Sequence, residues 1–334
     1  MAADTVLVTG GAGYIGSHAA KALREAGHRV VIYDNLSAGH RAAALGAPLV
    51  VGDIRDVDAL RRAIRQSGAG AVMHFAAWLS VADSVRDPLG YYRNNVQGAL
   101  ATLEAMAHEN CRLFVFSSTC AVYGEPVETP LRESHPTNPI NAYGQTKLAV
   151  EHALPHVERA HGIRFVALRY FNAAGADPAG ELGEDHSPEV HVVPRALAAA
   201  AAGTPIDIFG EDYPTPDGTC LRDYVHVTDL ADAHVRALAR LASGGASATY
   251  NVGTERPSSV REVIAAVERV TGRALQRRPG PRREGDPAVL YASAAKIRAE
   301  LGWRPQRPAL DTIVADAWAW HAAHPSGYDG PDPA

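Results

Sequence analysis

Residues 8–18, VTGGAGYIGSH, decide the fold. They carry Gly10, Gly13 and Gly16 in a G-x-x-G-x-x-G spacing, directly after the short apolar run TVLVTG. The stretch IGSHAAKALREAG, with apolar positions at helical spacing, follows them. Such a turn aims the N-terminus of a helix at a pyrophosphate, because glycine lets the backbone approach and free N–H groups bind the anion. The stretch therefore predicts a dinucleotide-binding β-α unit.

The next two strands end in acidic residues. Asp34 closes HRVVIYD, where a carboxylate can accept hydrogen bonds from both adenosine ribose hydroxyls and would repel a 2′-phosphate. Because Asn35 rather than arginine follows it, NAD is favoured over NADP. Asp53 closes APLVVGD, and it either contacts the adenine or caps the following helix. Small residues at 75–77 close the fourth strand and permit close passage of a dinucleotide.

The β-α alternation continues through AVMHFAA, RLFVFSS and IRFVALRYF, with amphipathic stretches between the strands. About six such repeats predict an α/β fold with a doubly wound parallel sheet of the Rossmann type. Near residue 172 the regular β-α alternation ends, and long loops rich in Gly, Pro and Asp follow. We therefore expect an NAD-binding Rossmann domain at 1–171. A smaller α/β substrate domain at 172–334 follows, some of whose segments can return to the sheet.

Composition excludes several classes of function. The chain has 334 residues, 46% of them hydrophobic, with a formal net charge of −5, which argues against a general nucleic-acid or anionic-membrane surface. Cys111, Cys120 and Cys220 are far apart and odd in number, so we expect neither a metal site nor a disulfide framework, and a reducing cytoplasm. The N-terminal residues have no signal-peptide pattern, and no apolar run reaches the length of a membrane span.

Tyr143 and Lys147 lie one helical turn apart in NAYGQTKLAVE. This pair stands out because the chain has only three lysines, Lys21, Lys147 and Lys296. A free tyrosine, with a pKa of about 10, is a poor base at neutral pH. A nearby ammonium, together with the positive nicotinamide of NAD⁺, would lower that pKa. The tyrosine could then take a hydroxyl proton while the carbon gives up hydride, and the lysine could also hold the nicotinamide ribose.

Three hydroxyls, those of Ser117, Ser118 and Thr119, end the fifth strand in FVFSSTCAVYG. Folds of this type bind ligands at the carboxyl edge of the sheet, where these side chains would lie. Each of them could equally cap the strand end. Of the three, Thr119 is the predicted partner of the reacting oxygen beside Tyr143.

The glycine spacing, the strand-five hydroxyls and Y-x-x-x-K together resemble the extended short-chain dehydrogenase/reductase family. Within it, YYRNNVQG, RYFNAAGADPAGELGED, IFGEDYPTPDGTCLRDYVHVTDLADAH, YNVG and RREGDPA resemble the UDP-glucose 4-epimerase family over roughly residues 4–330. The resemblance implies reversible C4 epimerisation of UDP-glucose and UDP-galactose through a transient 4-keto sugar, with tightly bound NAD. It also implies a homodimer, formed through the helices at 90–109 and 142–161. The pathway, galactose use or supply of polymer precursors, stays open.

The resemblance assigns site residues. The glycine loop and the implied cofactor contacts are Gly10, Gly13, Tyr14, Ile15, Gly16, Asp34, Asn35, Asp53, Ile54, Phe75, Ala76, Ala77, Asn95, Ser117, Tyr143, Lys147 and Tyr170. The implied substrate contacts are Thr119, Tyr143, Asn172, Phe209, Arg222, Arg283, Asp286 and Leu290. Arg222 and Arg283 suit a diphosphate through charge-assisted hydrogen bonds. Leu290, or Tyr291 if the register slips, would line the sugar pocket, with a purely core position as the alternative for Leu290.

The chain departs from the family pattern at three places. Leu79 stands where some relatives have a lysine that reaches the NAD phosphates, and Thr119 replaces a serine. His191 and Val192 stand where relatives often have Asn-Leu, so a uridine contact there is doubtful.

Related activities fit less well. Relatives that dehydrate nucleotide sugars carry Asp-Glu after the strand-five threonine, and relatives that decarboxylate uronic acids carry a glutamate there. This chain has Cys120 and Ala121. A plain NAD-dependent reductase would share Tyr143 and Lys147 but would not need the uridine-side arginines. A non-catalytic NAD-bound regulator would not need the tyrosine–lysine pair. Another NAD-dependent sugar-nucleotide epimerase or reductase remains the alternative.

Overall fold

The computed structural model describes residues 4–283 and 286–328. Residues 1–3 and 329–334 of the two predicted domains, and Glu284 and Gly285 of RREGDPA, lie outside the described residues. In chain order the strands are β1 Thr5–Thr9, β2 Arg29–Asp34, β3 Leu49–Val51, β4 Ala71–His74, β5 Leu113–Ser117, β6 Arg164–Tyr170, β7 Asn172–Ala174, β8 Ile206–Phe209, β9 Leu221–His226, β10 Ala248–Val252, β11 Pro257–Ser259, β12 Arg277–Gly280 and β13 Val289–Leu290.

The α-helices alternate with these strands in the first half of the chain. They are α1 Tyr14–Glu25, α2 Val57–Ser67, α3 Val81–Arg86, α4 Pro88–Tyr91, α5 Gly98–His108, α6 Ala142–His161, α7 Val192–Ala202, α8 Val227–Ala242, α9 Val260–Thr271, α10 Ala295–Leu301 and α11 Leu310–Ala323. A π-helical turn, Tyr92–Gln97, joins α4 to α5, and 3₁₀ turns form at Arg41–Ala44 and Cys120–Val122.

The central sheet has seven parallel strands in the order β10-β6-β5-β4-β1-β2-β3. This confirms the doubly wound sheet and the six strands that the sequence predicts. Strands β1, β4 and β5 are buried along their whole length, as expected where helices cover both faces. The strand order reverses direction at β1 and β4, and such a reversal leaves a crevice at the carboxyl ends of the strands.

The two faces of the sheet carry separate hydrophobic layers. On one face, side chains of α1 and α8 such as Leu23 and Leu230 pack against Val6 and Val8 of β1. On the other face, side chains of α2, α5 and α6 pack against Leu7 and the strands beside it. Alternate residues of β1 therefore belong to opposite layers, which fixes the sheet rigidly between its helices.

Two segments from the second half of the chain return to this sheet. Strand β10 pairs in parallel with β6, and α8 packs against α1, β5 and β6. The smaller part contains a sheet of β11, β9 and β13 with β7 beside β9, a β8–β12 pair, and packed helices α7, α9 and α11. Among the described helices, none combines the length and the apolar character that crossing a membrane requires.

Candidate active site

The glycine loop joins β1 to α1 as predicted. Gly10 has φ +72°, and a Cβ there would lie 2.4 Å from the backbone nitrogen of Ala76. A Cβ on Gly16 would lie 2.1 Å from the carbonyl oxygen of Gly10. In contrast, a Cβ on Gly13 would meet only that oxygen, at 3.5 Å, so its outer side is open. Gly13 is the N-cap of α1 and offers no side chain to the first amides, which suits an anion such as a pyrophosphate.

Asp34 lies beside this loop at the end of β2. Its side chain is buried and accepts hydrogen bonds from the backbone N–H groups of Ala12, at 3.0 Å, and Leu36, at 2.9 Å. Burial raises the pKa of Asp34, although the two amides act in the opposite direction. The carboxylate thus clamps the glycine loop and keeps lone pairs for further donors such as ribose hydroxyls. Asn35 is exposed, and its amide oxygen accepts from Ser37.

Asp53 is held by its neighbour Arg55 rather than by a helix. Its carboxylate accepts from the backbone nitrogen of Arg55 at 2.8 Å and from its Nε at 2.9 Å. The N-cap of α2 is Asp56, which accepts from the backbone nitrogen of Ala59. The capping interpretation of Asp53 is therefore wrong, and its adenine contact stays a prediction. Ile54 beside it is buried in the core.

The segment after β4 runs along the glycine loop. The backbone N–H groups of Phe75 and Ala76 both donate to the carbonyl oxygen of Thr9, at 2.8 and 3.1 Å. Ala77 follows, partly buried, and Leu79, which replaces a lysine, is partly exposed. The chain thus leaves the sheet close to the glycine loop, and close passage of a dinucleotide along these residues stays a prediction.

Asn95 lies in the π-helical turn, which the sequence analysis did not foresee. Its Nδ2 donates to the carbonyl oxygen of Trp78, at 3.0 Å, and to Oγ1 of Thr146, at 3.2 Å. Its Oδ1 accepts from the backbone nitrogen of Trp78, at 2.8 Å, and from Asn94. These bonds tie the segment after β4 to α6. All of these hydrogen bonds of the Asn95 side chain are made to other residues of the protein. Its role as a cofactor contact stays a prediction.

Lys147 is brought to the carboxyl end of β5 by α6, which begins at Ala142 with Asn141 as its N-cap. The lysine is buried, and its Nζ donates to the carbonyl oxygen of Ser117 at 2.8 Å. Burial lowers the pKa of Lys147 to about 7, with Glu151 acting in the opposite direction. With a pKa near neutral, the lysine is only partly protonated at neutral pH, unlike an exposed lysine.

Tyr143 lies one turn earlier on α6, and its environment differs from the prediction. Burial is the largest effect and raises the pKa of Tyr143, and Tyr170 raises it further. A hydrogen bond with the Thr119 side chain lowers it. The groups of the protein therefore keep the phenol neutral on their own. The lowering predicted from the sequence would have to come from positive charge that a bound cofactor adds.

The three strand-five hydroxyls have different partners. Ser117 Oγ lies 2.6 Å from the hydroxyl of Tyr170, whose pKa burial raises to about 12. Ser118 turns inward and donates to Glu151. Thr119 caps the 3₁₀ turn by accepting from the backbone nitrogen of Ala121 at 3.1 Å. Its side chain also lies close enough to Tyr143 to lower the pKa of the phenol, and its hydrogen bond to the reacting oxygen stays a prediction.

Arg169 and Glu151 form a buried ion pair next to the strand-five hydroxyls. Arg169 of β6 donates from Nε to Glu151 Oε1 at 3.0 Å and from Nη2 to Oε2 at 2.5 Å. Arg169 Nη1 also donates to the hydroxyl of Tyr123 at 3.0 Å. Sequence analysis missed this network, although Glu151 stands one helical turn after Lys147. The carboxylate links the catalytic face of α6 to the interior of the sheet.

Six of the eight predicted substrate residues lie on the smaller part of the molecule, while Thr119 and Tyr143 belong to the group at the end of β5. Arg222 of β9 is buried and donates to Asp286. The guanidinium of Arg283 lies 4.2 Å from the ring centre of Phe209, in cation–π contact. Asn172 Nδ2 donates to a backbone carbonyl of β9 at 3.2 Å. Arg222 and Asp286 thus form an ion pair, so a diphosphate at Arg222 would share the guanidinium with that carboxylate.

Leu290 pairs with Arg222 in the parallel register of β13 and β9. It is 8% exposed and packs in a cluster with Val122, Tyr123 and Phe171. This packing supports the core alternative, while the register keeps Leu290 next to a predicted substrate residue. Its role as a gate stays a prediction.

Comparisons with known proteins agree with this geometry. A sequence model described as the NAD dependent epimerase/dehydratase family matches residues 6–253. The UDP-glucose 4-epimerase of Halalkalibacterium halodurans is 48% identical over 324 residues, which cover 97% of each chain. The crystal structure of UDP-glucose 4-epimerase from Brucella ovis in complex with NAD matches with a TM-score of 0.92 and 48% identity, covering 94% of this chain and 97% of that one. The Bifidobacterium longum enzyme in complex with NAD⁺ and UDP matches with a TM-score of 0.92 and 36% identity, covering 97% and 99%.

Proposed function

The chain belongs to the NAD dependent epimerase/dehydratase family and, within it, to the UDP-glucose 4-epimerases, and on this premise we propose which of its residues carry the reaction. The protein is an NAD-dependent isomerase that interconverts UDP-glucose and UDP-galactose at C4 of the sugar. The steps below assign the proton, the cofactor and the nucleotide to particular side chains.

NAD binds between the glycine loop and the ends of β4 and β5 in this proposal. The open side of Gly13 and the first turn of α1 receive the pyrophosphate, and Asp34 accepts from the adenosine ribose. Lys147 and Tyr170 lie at the nicotinamide end, next to Ser117. When bound, NAD supplies the acceptor and donor of the hydride at sugar C4.

Tyr143 takes the proton of the C4 hydroxyl in this proposal and later returns it. The buried phenol is a weak base by itself, since its pKa is raised, so positive charge beside it is needed to favour the phenolate. Lys147 is the cation on the same helical face, and Thr119 donates to the reacting oxygen.

The nucleotide is held apart from the reacting carbon. Arg222 and Arg283 bind the diphosphate in this proposal, and Phe209, Asn172 and Asp286 hold the uridine side or the sugar. Tight binding of UDP places the binding energy on the part that does not react, so the 4-keto sugar can turn within the pocket. In this proposal residues 1–171 carry most cofactor contacts and residues 172–334 most substrate contacts, while β10 completes the sheet and α8 packs against it.

The proposal rests chiefly on one observation: Tyr143 and Lys147, on one face of α6, meet Thr119 and Ser117 at the end of β5. The test is conversion of UDP-galactose to UDP-glucose by protein purified with no added cofactor. A reductase that exchanges its cofactor would need added NAD for each turnover, and a non-catalytic binder would give no product. Either result would contradict the proposal.

A homodimer through α5 and α6 follows from the family expectation. Leu100 on α5 is 42% exposed, and a groove between the two helices is lined by apolar side chains including Leu103, Ala107 and Val157. Leu100→Glu should shift the protein to a monomer in light scattering, whereas Val127→Glu, on an exposed loop, should not. A dimer that survives Leu100→Glu would move the interface elsewhere.

A cytoplasmic location is part of the same proposal. The three cysteines are unpaired, and burial raises the pKa of Cys111 and of Cys120 to about 12, so their thiols stay protonated. Fractionation of cells that express the protein tests this, with a periplasmic or membrane-bound pool as the contradictory result.

A further inference from the structure

Four metal-ligand side chains converge outside the catalytic group, in the loop between β7 and α7. They are Glu184, His186, Glu189 and His191, and the last three form an H-x-x-E-x-H sequence. One ligand atom from each side chain lies within 4.8 Å of the others. Sequence analysis, which considered only cysteine spacing for metals, did not single out this group.

The distances within the cluster are close to those between the ligands of a small cation. His191 Nδ1 lies 2.7 Å from Glu184 Oε1 and 3.1 Å from Glu189 Oε1. His186 Nδ1 lies 3.3 Å from Glu184 Oε1 and 3.5 Å from Glu189 Oε2. Four ligands bound about 2.0–2.1 Å from a tetrahedral zinc lie about 3.3–3.4 Å from one another. The ligand separations of the cluster bracket that value, so a modest adjustment would complete the geometry.

Two buried polar atoms of the cluster, one on Glu184 and one on His186, lack hydrogen-bond partners within the described residues. The Glu184 side chain is 4% exposed, and its Oε1 accepts no hydrogen bond of good geometry within the described part of the chain. His186 Nδ1 is likewise buried without a hydrogen bond there. Buried polar atoms are nearly always satisfied, and a bound ion is one recognised explanation of an exception. Both imidazoles point Nδ1 towards the same carboxylate oxygen, as ligands around a shared centre do.

We propose that Glu184, His186, Glu189 and His191 bind one divalent cation of the zinc class as a closed four-coordinate site. Two imidazoles and two carboxylates form a donor set that suits zinc, and with all four positions taken by the protein the site would be structural. The cation would pin the loop that ends at His191, the N-cap of α7. This inference goes beyond the proposed function and does not depend on it.

The surroundings support the site in two further ways. Glu189 Oε1 accepts from the backbone nitrogens of Val190 and His191, both at 2.7 Å, which orients the carboxylate as outer partners orient metal ligands. The His191 side chain is 38% exposed, in contrast to the buried Glu184, so the cluster is open to solvent on one side. A cation therefore has a path of entry.

The alternative to a bound cation is that both imidazoles of the cluster are protonated. Burial lowers the pKa of each imidazole, but the two carboxylates outweigh it and raise the pKa of His186 to about 9 and that of His191 to about 10. Two imidazolium ions would balance the two carboxylates as a zinc ion would. Direct measurement of metal binding separates these two states.

The experiment uses untagged, full-length protein with its bound NAD, treated with a chelator and then freed of it. Calorimetric titration with Zn²⁺ should show one saturable equivalent per chain, and Co²⁺ should give the intense visible absorption of a tetrahedral site. Added Zn²⁺ should also raise the Tm of the chelated protein. Absence of a one-to-one binding step, with Tm unchanged by Zn²⁺, would overturn the proposal in favour of the protonated cluster.

Variants locate the site. His186→Gln and His191→Gln should each weaken Zn²⁺ binding by more than the roughly 10–100-fold that loss of an outer partner costs. The matched control is His108→Gln, which removes an exposed histidine paired with Glu104 on α5 and should bind Zn²⁺ like the wild type. Unchanged binding in both cluster variants would overturn the assignment. The wild-type titration decides the proposal even where a variant fails to fold.

Discussion

The ammonium of Lys147 lies 2.8 Å from the carbonyl oxygen of Ser117, buried at the point where α6 crosses the end of β5. This contact joins α6, which carries both the lysine and the predicted base, to the end of β5, which leads to the predicted catalytic hydroxyl. It also removes the ammonium from water, which has a consequence for stability that pH can reveal.

Lys147 should make the stability of the nucleotide-free protein depend on pH. Burial lowers its pKa to about 7 from the ordinary value of 10.5. Between these values the unfolded chain binds more protons than the folded one, so the penalty is full below about pH 7 and disappears as the pH rises towards about 10.5. The difference in unfolding free energy between wild type and Lys147→Met should therefore move in favour of the wild type as the pH rises. Denaturant unfolding at several pH values measures it, and a pH-independent difference would contradict the buried, depressed lysine.

Tyr143→Phe should abolish most of the epimerase activity and leave the fold and the NAD content intact, since only one hydroxyl is removed. Loss of a general acid–base group costs about two to four orders of magnitude in rate. Steady-state conversion of UDP-galactose measures it, with Tyr92→Phe, an exposed tyrosine, as the matched control. A near-wild-type rate in Tyr143→Phe would remove this residue from the mechanism.

Asp34→Ala should lower the NAD content of the purified protein or relax its preference for NAD over NADP. The carboxylate clamps the glycine loop through Ala12 and Leu36 and is the predicted ribose acceptor. Loss of a charged hydrogen-bond partner costs about 1.5–3 kcal/mol, or about 10–150-fold in affinity. Nucleotide released on denaturation is the readout, and Asp58→Ala, on the exposed face of α2, is the control. Unchanged content and preference would show that the ribose role is wrong.

Arg169→Met should destabilise the protein by about 3–5 kcal/mol, because Glu151 would be left as an uncompensated buried charge. The matched control is Arg269→Met, which breaks an exposed pair with Asp311 and should cost less than about 1 kcal/mol. Urea unfolding compares the two. Equal small effects would mean that the buried network contributes little to stability.

Leu290 variants should change the choice between substrates. The family resemblance implies that a bulky aromatic at this position confines the enzyme to glucose and galactose and that a small residue admits N-acetylhexosamines. Leucine is smaller than tyrosine and larger than serine, so we expect UDP-glucose and UDP-galactose as the main pair, with UDP-N-acetylglucosamine a poor substrate. Leu290→Ser should raise kcat/KM for the N-acetyl sugar relative to UDP-galactose, and Leu290→Tyr should lower it. Shifts of roughly 10–200-fold are the most that one pocket contact supplies. An unchanged ratio in both variants, with the protein folded, would leave Leu290 as part of the core only.

Most of the fold could be predicted from the sequence because its signals are local. Short apolar runs followed by helical periodicity mark the β-α units, the first three of these runs end in glycine or an acid, and the structure confirms the six strands found this way. The pairing of β10 with β6 could not be predicted, since a five-residue strand carries no mark of its partner. For Asp53 and Asp56, both near the start of α2, spacing alone did not decide which one caps the helix.

Less of the site could be predicted from the sequence, because the properties of its residues depend on contacts between residues that are far apart in the chain. The pattern Y-x-x-x-K identifies two residues on one helical face, but the raised pKa of Tyr143 depends on burial, which the pattern does not contain. The Glu151–Arg169 pair joins residues on a helix and a strand. The cluster at 184–191 lies in a loop, which has no helical periodicity. Residue type and spacing were therefore the only features of the sequence that could indicate it.

The central claim is that hydride leaves C4 of the sugar and returns to it within one active site. The direct test gives purified protein, with no added nucleotide, UDP-galactose carrying deuterium at C4, and follows the product by mass spectrometry. The expected product is UDP-glucose that retains the deuterium at C4. Product that has lost its deuterium to water, or no product at all, would contradict it.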